Sequence, residues 1–421
     1  MTTFDIERGV LGVLSHLRRK GYEAYLVGGC IRDILLDKKA KDYDIVTDAR
    51  PNQIKRIFRR CYLIGKRFRL AHVYIDRNRF VEVATFRGLV DPGDFDEDSY
   101  AANNVFGSME DDVLRRDFTV NSLYYNSADN SIIDYTGGLK DLEKRVMRSI
   151  GDPEKRFAED PVRIIRLARF CAQLDMKPSR NDLKAAKKMA HAIIEANDSR
   201  LLEEIYKIFR SGAAGNTFRN LHQYGLLQHW YPELGTIRDP EPIFARLDVI
   251  DRLKHTGKEV ASNIFFTSLF YDLLEDAVSS QELSNFQEIF MMLRSQFREL
   301  AIRMRMPRAE FDRMCNNAAR QYMFTTDPGN PKRRKQENRF IRNQYFPDAM
   351  RFFEIRSGAT GLYGDEVEYW KQRVKELKKS DRGLKGKGRD RQPQKKSSKK
   401  GPPRKGQKSD KNRPKNTGEN K

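Results

Sequence analysis

The 421-residue sequence is poor in residues that staple a chain or cage a metal. Its four cysteines, Cys30, Cys61, Cys171 and Cys315, are scattered and form no CxxC pair. That pattern excludes a zinc ribbon and a disulfide framework, and it suits a reducing compartment. None of the six histidines is followed by Asp, so no HD phosphohydrolase signature is present. No run approaches the ~20 apolar residues that a bilayer-spanning helix requires. The first residues, "MTTFDIERGVLGVLSHLRRKG", carry acids early and lack an apolar h-region. A cytoplasmic monomer without a membrane span is therefore expected. No internal repeat of fixed period is visible.

Positive charge, by contrast, is plentiful. The net charge is +21, and residues 378–421 hold 18 Lys or Arg against four acids. Two thirds of the excess thus lies in a Gly-, Pro-, Ser- and Gln-rich tail with almost no apolar residues. Such a segment cannot bury enough surface to offset its ordering entropy, and disorder is expected. A charge run can be no more than a solvated face. A flexible polycation also collects phosphates by counterion release, and RNA contact is the favoured reading.

Residues 5–20 read as an amphipathic helix closed by Gly21. "YEAYLVGG" reads as a strand, "CIRDILLDKK" as a helix, "DYDIVT" as a second strand, and "RPNQIKRIFRRC" as a helix opened by proline. "LAHVYID" and "FVEVATFRG" alternate as two strands joined at Asp76-Arg77-Asn78-Arg79. The acidic, Gly/Asn/Asp-rich residues 88–109 predict a mobile loop. "DDVLRRDFTVNSLYYN" and the strand, Gly-Gly turn and helix of "SIIDYTGGLKDLEKRVMRSI" follow. Beyond Gly151 the character turns helical, beginning with "DPVRIIRLARFCAQL". The expected class is α+β: an α/β head with a mixed sheet at 1–150, a helical neck at 151–215, a helical body at 216–377 and the disordered basic tail at 378–421.

The stretch "YLVGGCIRDILLDKKAKDYDIVT" concentrates the chemistry. On a strand, Asp42 and Asp44 point to one face and Tyr43 to the other. Two neighbouring carboxylates repel unless a cation lies between them. Hard Mg²⁺ takes such oxygens together with water and substrate phosphate, and two such ions can clamp an in-line phosphoryl displacement. A D-x-D alone is short enough to arise by chance on a strand end. Here it follows Gly28-Gly29, where a strand runs into a helix whose backbone amides can approach an anion. Arg32, one turn in, adds a charge for phosphate. Together these features predict a triphosphate cradle facing a metal site. Glu82, mid-strand among apolar neighbours, is a candidate third carboxylate, with a salt bridge to Arg87 or Arg69 as the alternative. Asp160, Arg163, Arg166 and Arg169 recur every third residue and form a polar stripe on one helix, which could equally be an exposed ion-paired face.

"LVGGCIRD" followed by "KDYDIVT" resembles the head motif of the nucleotidyltransferase branch that contains tRNA CCA-adding enzymes and bacterial poly(A) polymerases. The resemblance continues through "GKRFRLAHV", "VEVATFRG", "EDDVLRRDFTVNSLYYN", "DYTGGLKDL" and "RFAEDPVRIIRLARFCAQL", covering residues 20–175. It implies that Gly28, Gly29 and Arg32 meet the phosphates of the incoming nucleotide, and that Asp42 and Asp44 carry Mg²⁺. It further implies that Arg116 binds nucleotide and that Asp117 is an active-site carboxylate. In the family the helix after "RFAED" reads the base with its carboxylate and first arginine. Asp160 can accept from an exocyclic amine while Arg163 donates to the adjacent ring nitrogen. Adenine and cytosine both offer that edge, so the motif does not separate an ATP-only enzyme from one that uses CTP and ATP. "GKRFRLAHV" resembles the bacterial poly(A) polymerase form, and the basic tail suits an enzyme acting on many RNA 3′ ends. The resemblance therefore implies a Mg²⁺- and ATP-dependent, template-independent addition of AMP to RNA 3′ ends, marking RNA for decay, with the decay machinery as a possible associate. A CCA-adding or A-adding tRNA nucleotidyltransferase and a catalytically idle RNA-binding scaffold are the alternatives.

Overall fold

A computed structural model describes residues 6–40, 42–65, 70–88, 105–281, 285–325 and 334–387, with side chains described as far as residue 380. Most of the expected mobile loop, part of "GKRFRLAHV" and residues 388–421 of the tail lie outside the described residues, whereas 378–387, expected to be disordered, end the helix Gly364–Lys387.

The head is a seven-stranded mixed sheet. Its strands are β1 (Ala24–Val27), β2 (Asp44–Thr47), β3 (Cys61–Ile64), β4 (Leu70–Tyr74), β5 (Phe80–Thr85), β6 (Tyr124–Asn126) and β7 (Ser131–Ile133), in the order β3-β4-β5-β2-β1-β6-β7. Within this sheet, among the described residues, only β2 and β5 pair in parallel. The expected strands form, and β3 was missed in the sequence, because "CYLI" is short and follows a basic helix directly. Alternation sorts each strand into two faces. Leu26, Ile45, Ala71, Val73, Val81 and Val83 join a core with helices α1 (Arg8–Arg19), α2 (Gly29–Leu35) and α3 (Pro51–Ile57). Pro51 opens α3, as expected. The opposite face is partly covered by α4 (Met109–Arg115), whose Met109 and Val113 pack with Val27, Val46, Phe86 and Tyr124. A capping box at Ser108 starts α4.

After α5 (Gly138–Glu143) come α6 (Pro153–Glu159), α7 (Val162–Leu174), α8 (Arg180–Lys188) and α9 (Asp198–Ser211), followed by further helices to residue 387. A two-residue strand, Lys177–Pro178, interrupts the helices and pairs with Val146–Met147. One apolar cluster runs from Phe118 and Val120 of the head segment through Phe157, Ile164, Phe265 and Phe270 to Phe352 and Ile355. The core therefore continues without a break across residue 150. The chain divides into compact units at 1–369 and 370–421, the second beginning inside the helix Gly364–Lys387. Within that second unit Arg373 pairs with Glu376 at 2.6 Å.

Candidate active site

Strand β2 begins at Asp44, so Asp42 precedes the strand rather than lying in it. Tyr43 packs into the helix-side core, and Asp44 lies on the opposite face, as alternation demands. The parallel register sets Asp44 directly beside Glu82, and the antiparallel register sets Glu82 beside His72. Glu82 meets His72 Nε2 at 3.4 Å. Among the described residues the ion-pair partner of Glu82 is thus His72 and not Arg87, the expected alternative. Arg69 lies outside the described residues.

Between β1 and α2, Gly28 adopts φ +82° and ψ −136°, a conformation that L side chains rarely take. A Cβ at this position would lie 3.6 Å from Arg116 Nη1 and 3.8 Å from Asp44 Oδ2. Two of the expected site residues, Arg116 and Asp44, thus converge on the bare backbone of Gly28. At Gly29 a Cβ would lie 3.4 Å from Arg32 Nη2.

Arg116 is held rigidly. Its Nε donates to Asp112 and to the Tyr124 hydroxyl, both at 3.0 Å, and its Nη2 donates to Asp112 at 2.8 Å. The Tyr124 hydroxyl donates to the same Asp112 oxygen at 2.7 Å. Burial opposes the charge of Arg116, but Asp112 overrides it and keeps the guanidinium protonated. Asp112 and Tyr124 were not singled out in the sequence. The available signal was the four-residue spacing of Asp112 and Arg116 across the end of α4.

The electrostatics at Asp44 run the other way. Among the described residues no hydrogen bond or ion pair reaches its carboxylate. Desolvation against the protein, then Glu82, then Asp42 push its carboxyl up to about 6, against the pull of Arg116. The side chain nevertheless remains open to solvent. Desolvation is the largest cause of that shift and the carboxylates Glu82 and Asp42 add to it, and a hard divalent cation fits such a group. Among the described residues no three His, Cys, Asp or Glu side chains are close enough to cage a metal unaided. Asp44 and Glu82, adjacent in register, with Asp42 acting on Asp44, would supply only part of an Mg²⁺ shell, the rest coming from water and substrate phosphate.

Asp117 and Arg32 stand one layer behind. Asp117 accepts from Arg166 Nη2 at 2.5 Å and Nε at 2.9 Å, from the Asn121 amide at 3.1 Å and from the Phe118 backbone N–H at 2.8 Å. Burial works against its charge, but Arg166 overrides it and holds the carboxyl at about 2. Asn121 Oδ1 in turn accepts from Arg32 Nη1 at 2.6 Å, and Asp33 takes the remaining side of that guanidinium. Arg32 is buried, as is Arg169. Arg32, Arg166 and Arg169 surround the Phe170 ring at 5.2, 5.2 and 4.3 Å. Glu204 on α9 completes the cluster, pairing with Arg166 at 3.3 Å and Arg169 at 3.2 Å.

The expected polar stripe is broken at its first member. Helix α7 starts at Val162, and Asp160 closes α6 with extended backbone, because Pro161 intervenes. Both Asp160 oxygens accept from Arg200, at 2.9 and 2.7 Å, while Arg163 Nε lies 3.9 Å away. Arg163 Nη1 donates to the Arg156 carbonyl at 2.7 Å and to Glu159 at 2.9 Å. Arg166 and Arg169 point into the buried cluster with Asp117 and Glu204, away from Asp160. Of the stripe, Asp160 and Arg163 stay together, and Arg166 and Arg169 do not join them.

Residues 24–148 match the family model described as the Poly A polymerase head domain. Residues 175–237 match a second model, described as the probable RNA and SrmB-binding site of polymerase A. The chain is 42% identical to Poly(A) polymerase I of Haemophilus influenzae, over 63% of this chain and 61% of that protein. It is 32% identical to the CCA-adding enzyme of Bacillus velezensis, over 52% of this chain and 54% of that one. The match thus spans about three fifths of the curated poly(A) polymerase it resembles. The fold is similar to the Bacillus stearothermophilus CCA-adding enzyme in complex with CTP, with a TM-score of 0.65, 24% identity, and coverage of 88% of this chain and 83% of that one. Among the described residues no helix is long and apolar enough to cross a membrane.

Proposed function

We propose that this protein is a poly(A) polymerase that transfers AMP from ATP to RNA 3′ ends without a template, in the cytoplasm. The observation that carries the reading is the neighbouring carboxylates Asp44 and Glu82 beside Gly28 and the clamped Arg116. In the reaction a bond forms between the RNA 3′ oxygen and the α-phosphorus of ATP. The bond from that phosphorus to the pyrophosphate oxygen breaks, and the hydroxyl proton is lost to solvent. Gly28 and Gly29 let the phosphates approach the backbone, and Arg116 Nη1 faces them as a fixed cation. Asp42, Asp44 and Glu82 would hold Mg²⁺, which supplies the Lewis acidity that such a displacement needs. Asp117 acts through Asn121 and Arg166 as a positioning residue. Asp160 and Arg163 would select adenine by its donor–acceptor edge, and the basic residues 378–421 would gather RNA. Poly(A) polymerase I at 42% identity supports this choice, and adenylation would mark the RNA for decay.

A CCA-adding or A-adding tRNA nucleotidyltransferase is the second reading, favoured by the 32% identical relative and by an Asp160 edge that fits cytosine equally. Incubating the purified protein with an unstructured RNA and each nucleoside triphosphate separately decides between them. Long incorporation from ATP, with CTP the best of the rest, is expected. Addition of C, C and A to a tRNA lacking its 3′ end, followed by arrest, makes the second reading correct.

A further inference from the structure

The head sheet's face opposite α1–α3 divides into two halves. Over β1, β2 and β6 it is covered by α4. Over β3, β4 and β5 its side chains are largely aromatic and partly exposed. The registers line up Tyr62, His72, Glu82 and Asp44 in one row across four strands, with Tyr74 opposite Phe80 in the next row. Tyr62 is 63% exposed and Phe80 42%. The rings brace one another: His72 stacks on Phe80 at 4.0 Å and 11°, and Tyr74 lies 5.7 Å from both Tyr62 and Phe80. The Arg60 guanidinium lies 5.4 Å from the Tyr74 ring. Arg59, Arg60 and Arg77 at this edge are exposed and form no ion pair with a described residue.

Exposed rings on an edge strand invite unwanted pairing, so their presence calls for a ligand. In-line displacement fixes which one. Gly28 lies on one side of Asp44 and Glu82 on the other. With the leaving pyrophosphate at Gly28, the attacking 3′ oxygen must approach from the Glu82 side. The chain behind that oxygen then passes over His72 and Tyr62. We infer that this face binds the single-stranded RNA immediately upstream of the 3′ end, with bases stacked on Tyr62 and Phe80 and phosphates met by Arg59, Arg60 and Arg77. The inference rests on the nucleotidyltransferase reading for its direction. Its chemistry is that of sequence-tolerant strand binding, in which aromatic rings take bases and arginines take the backbone.

The test measures direct binding of an oligo(A) of roughly 12 nucleotides, a length covering a typical site, to the full chain, beside an ATP-dependent thermal shift. The double variant Tyr62→Ala/Phe80→Ala should bind the oligonucleotide at least about tenfold more weakly, as the loss of base stacking implies. Its ATP-dependent shift should be unchanged. Tyr62→Phe/Phe80→Tyr should restore binding to within about twofold, since every aromatic ring retains a stacking face. RNA affinity unchanged in the alanine variant overturns the inference. So does a change confined to self-association, which would make the face a protein contact. If the wild-type protein binds oligo(A) through this face yet transfers no AMP, the proposed reaction fails while the binding surface stands.

Discussion

Asp44 and Asp117 are both carboxylates set against protein mass, and the chain treats them in opposite ways. Asp117 receives two guanidinium nitrogens, a side-chain amide and a backbone N–H, and is held at about 2. Asp44 faces Glu82 and Asp42 and is pushed up to about 6. A protein with 80 Lys and Arg has no shortage of partners, yet the cation that acts on Asp44 among the described residues, Arg116, is pinned by Asp112 and Tyr124. The contrast separates two tasks. The junction of head and α7 is neutralised from within and gives rigidity. At the end of β2, Asp44 has no hydrogen-bond or ion-pair partner among the described residues, which suits the metal role proposed above.

Asp44→Asn should give the largest effect, abolishing AMP transfer by at least about a thousandfold, several kcal/mol of barrier. It should also raise the melting temperature of the metal-free protein by roughly 1–3 °C, because it removes a repulsion. Unchanged transfer or a lowered melting temperature would erase the distinction between the two carboxylates. Asp117→Asn should do the reverse to stability. It strands Arg166 beside the buried junction and should cost about 3 kcal/mol, read by denaturant unfolding. Because the folded carboxyl is held below its unfolded value of 3.8, that stabilisation is complete above about pH 4 and drains away as pH falls toward 2. The gap between wild type and Asp117→Asn should therefore narrow in melts taken at successively lower pH. Glu204→Gln, which leaves Arg169 with less compensation, should cost about 2 kcal/mol by the same measurement. The smallest effect belongs to Arg200→Ala. Its pair with Asp160 is half exposed, so stability should move by less than about 0.5 kcal/mol. With both Asp160 oxygens released, KM for ATP should fall about two- to fivefold if an incoming base competes for them.

Much of this was legible in the sequence, and the exceptions have both local and long-range causes. Alternation in "LAHVYID" and "FVEVATFRG" predicted two strands that the sheet contains. Tyr43 and Asp44 fall on opposite faces, as their spacing requires. Strand β3 was missed because its four residues carry no turn signal separating them from α3. The three-residue spacing of Asp160, Arg163, Arg166 and Arg169 suggested one stripe, but Pro161 ends that pattern before it begins. The partners of these residues come from elsewhere in the chain: Arg200 for Asp160, and Glu204 and Asp117 for the two later arginines. Pairings across 35 to 49 residues leave no local trace. The same holds for the row Tyr62, His72, Glu82 and Asp44, which only strand register assembles.

The central proposal is that Asp44 helps hold a divalent cation, which in turn meets the phosphates of the nucleotide. The most direct measurement is a thermal shift with Mg²⁺ and a non-hydrolysable ATP analogue, taken on the wild-type protein and on Asp44→Asn. A cation-dependent rise of several degrees in the wild type, absent from Asp44→Asn, is the result this account predicts. An equal rise in both proteins would contradict it.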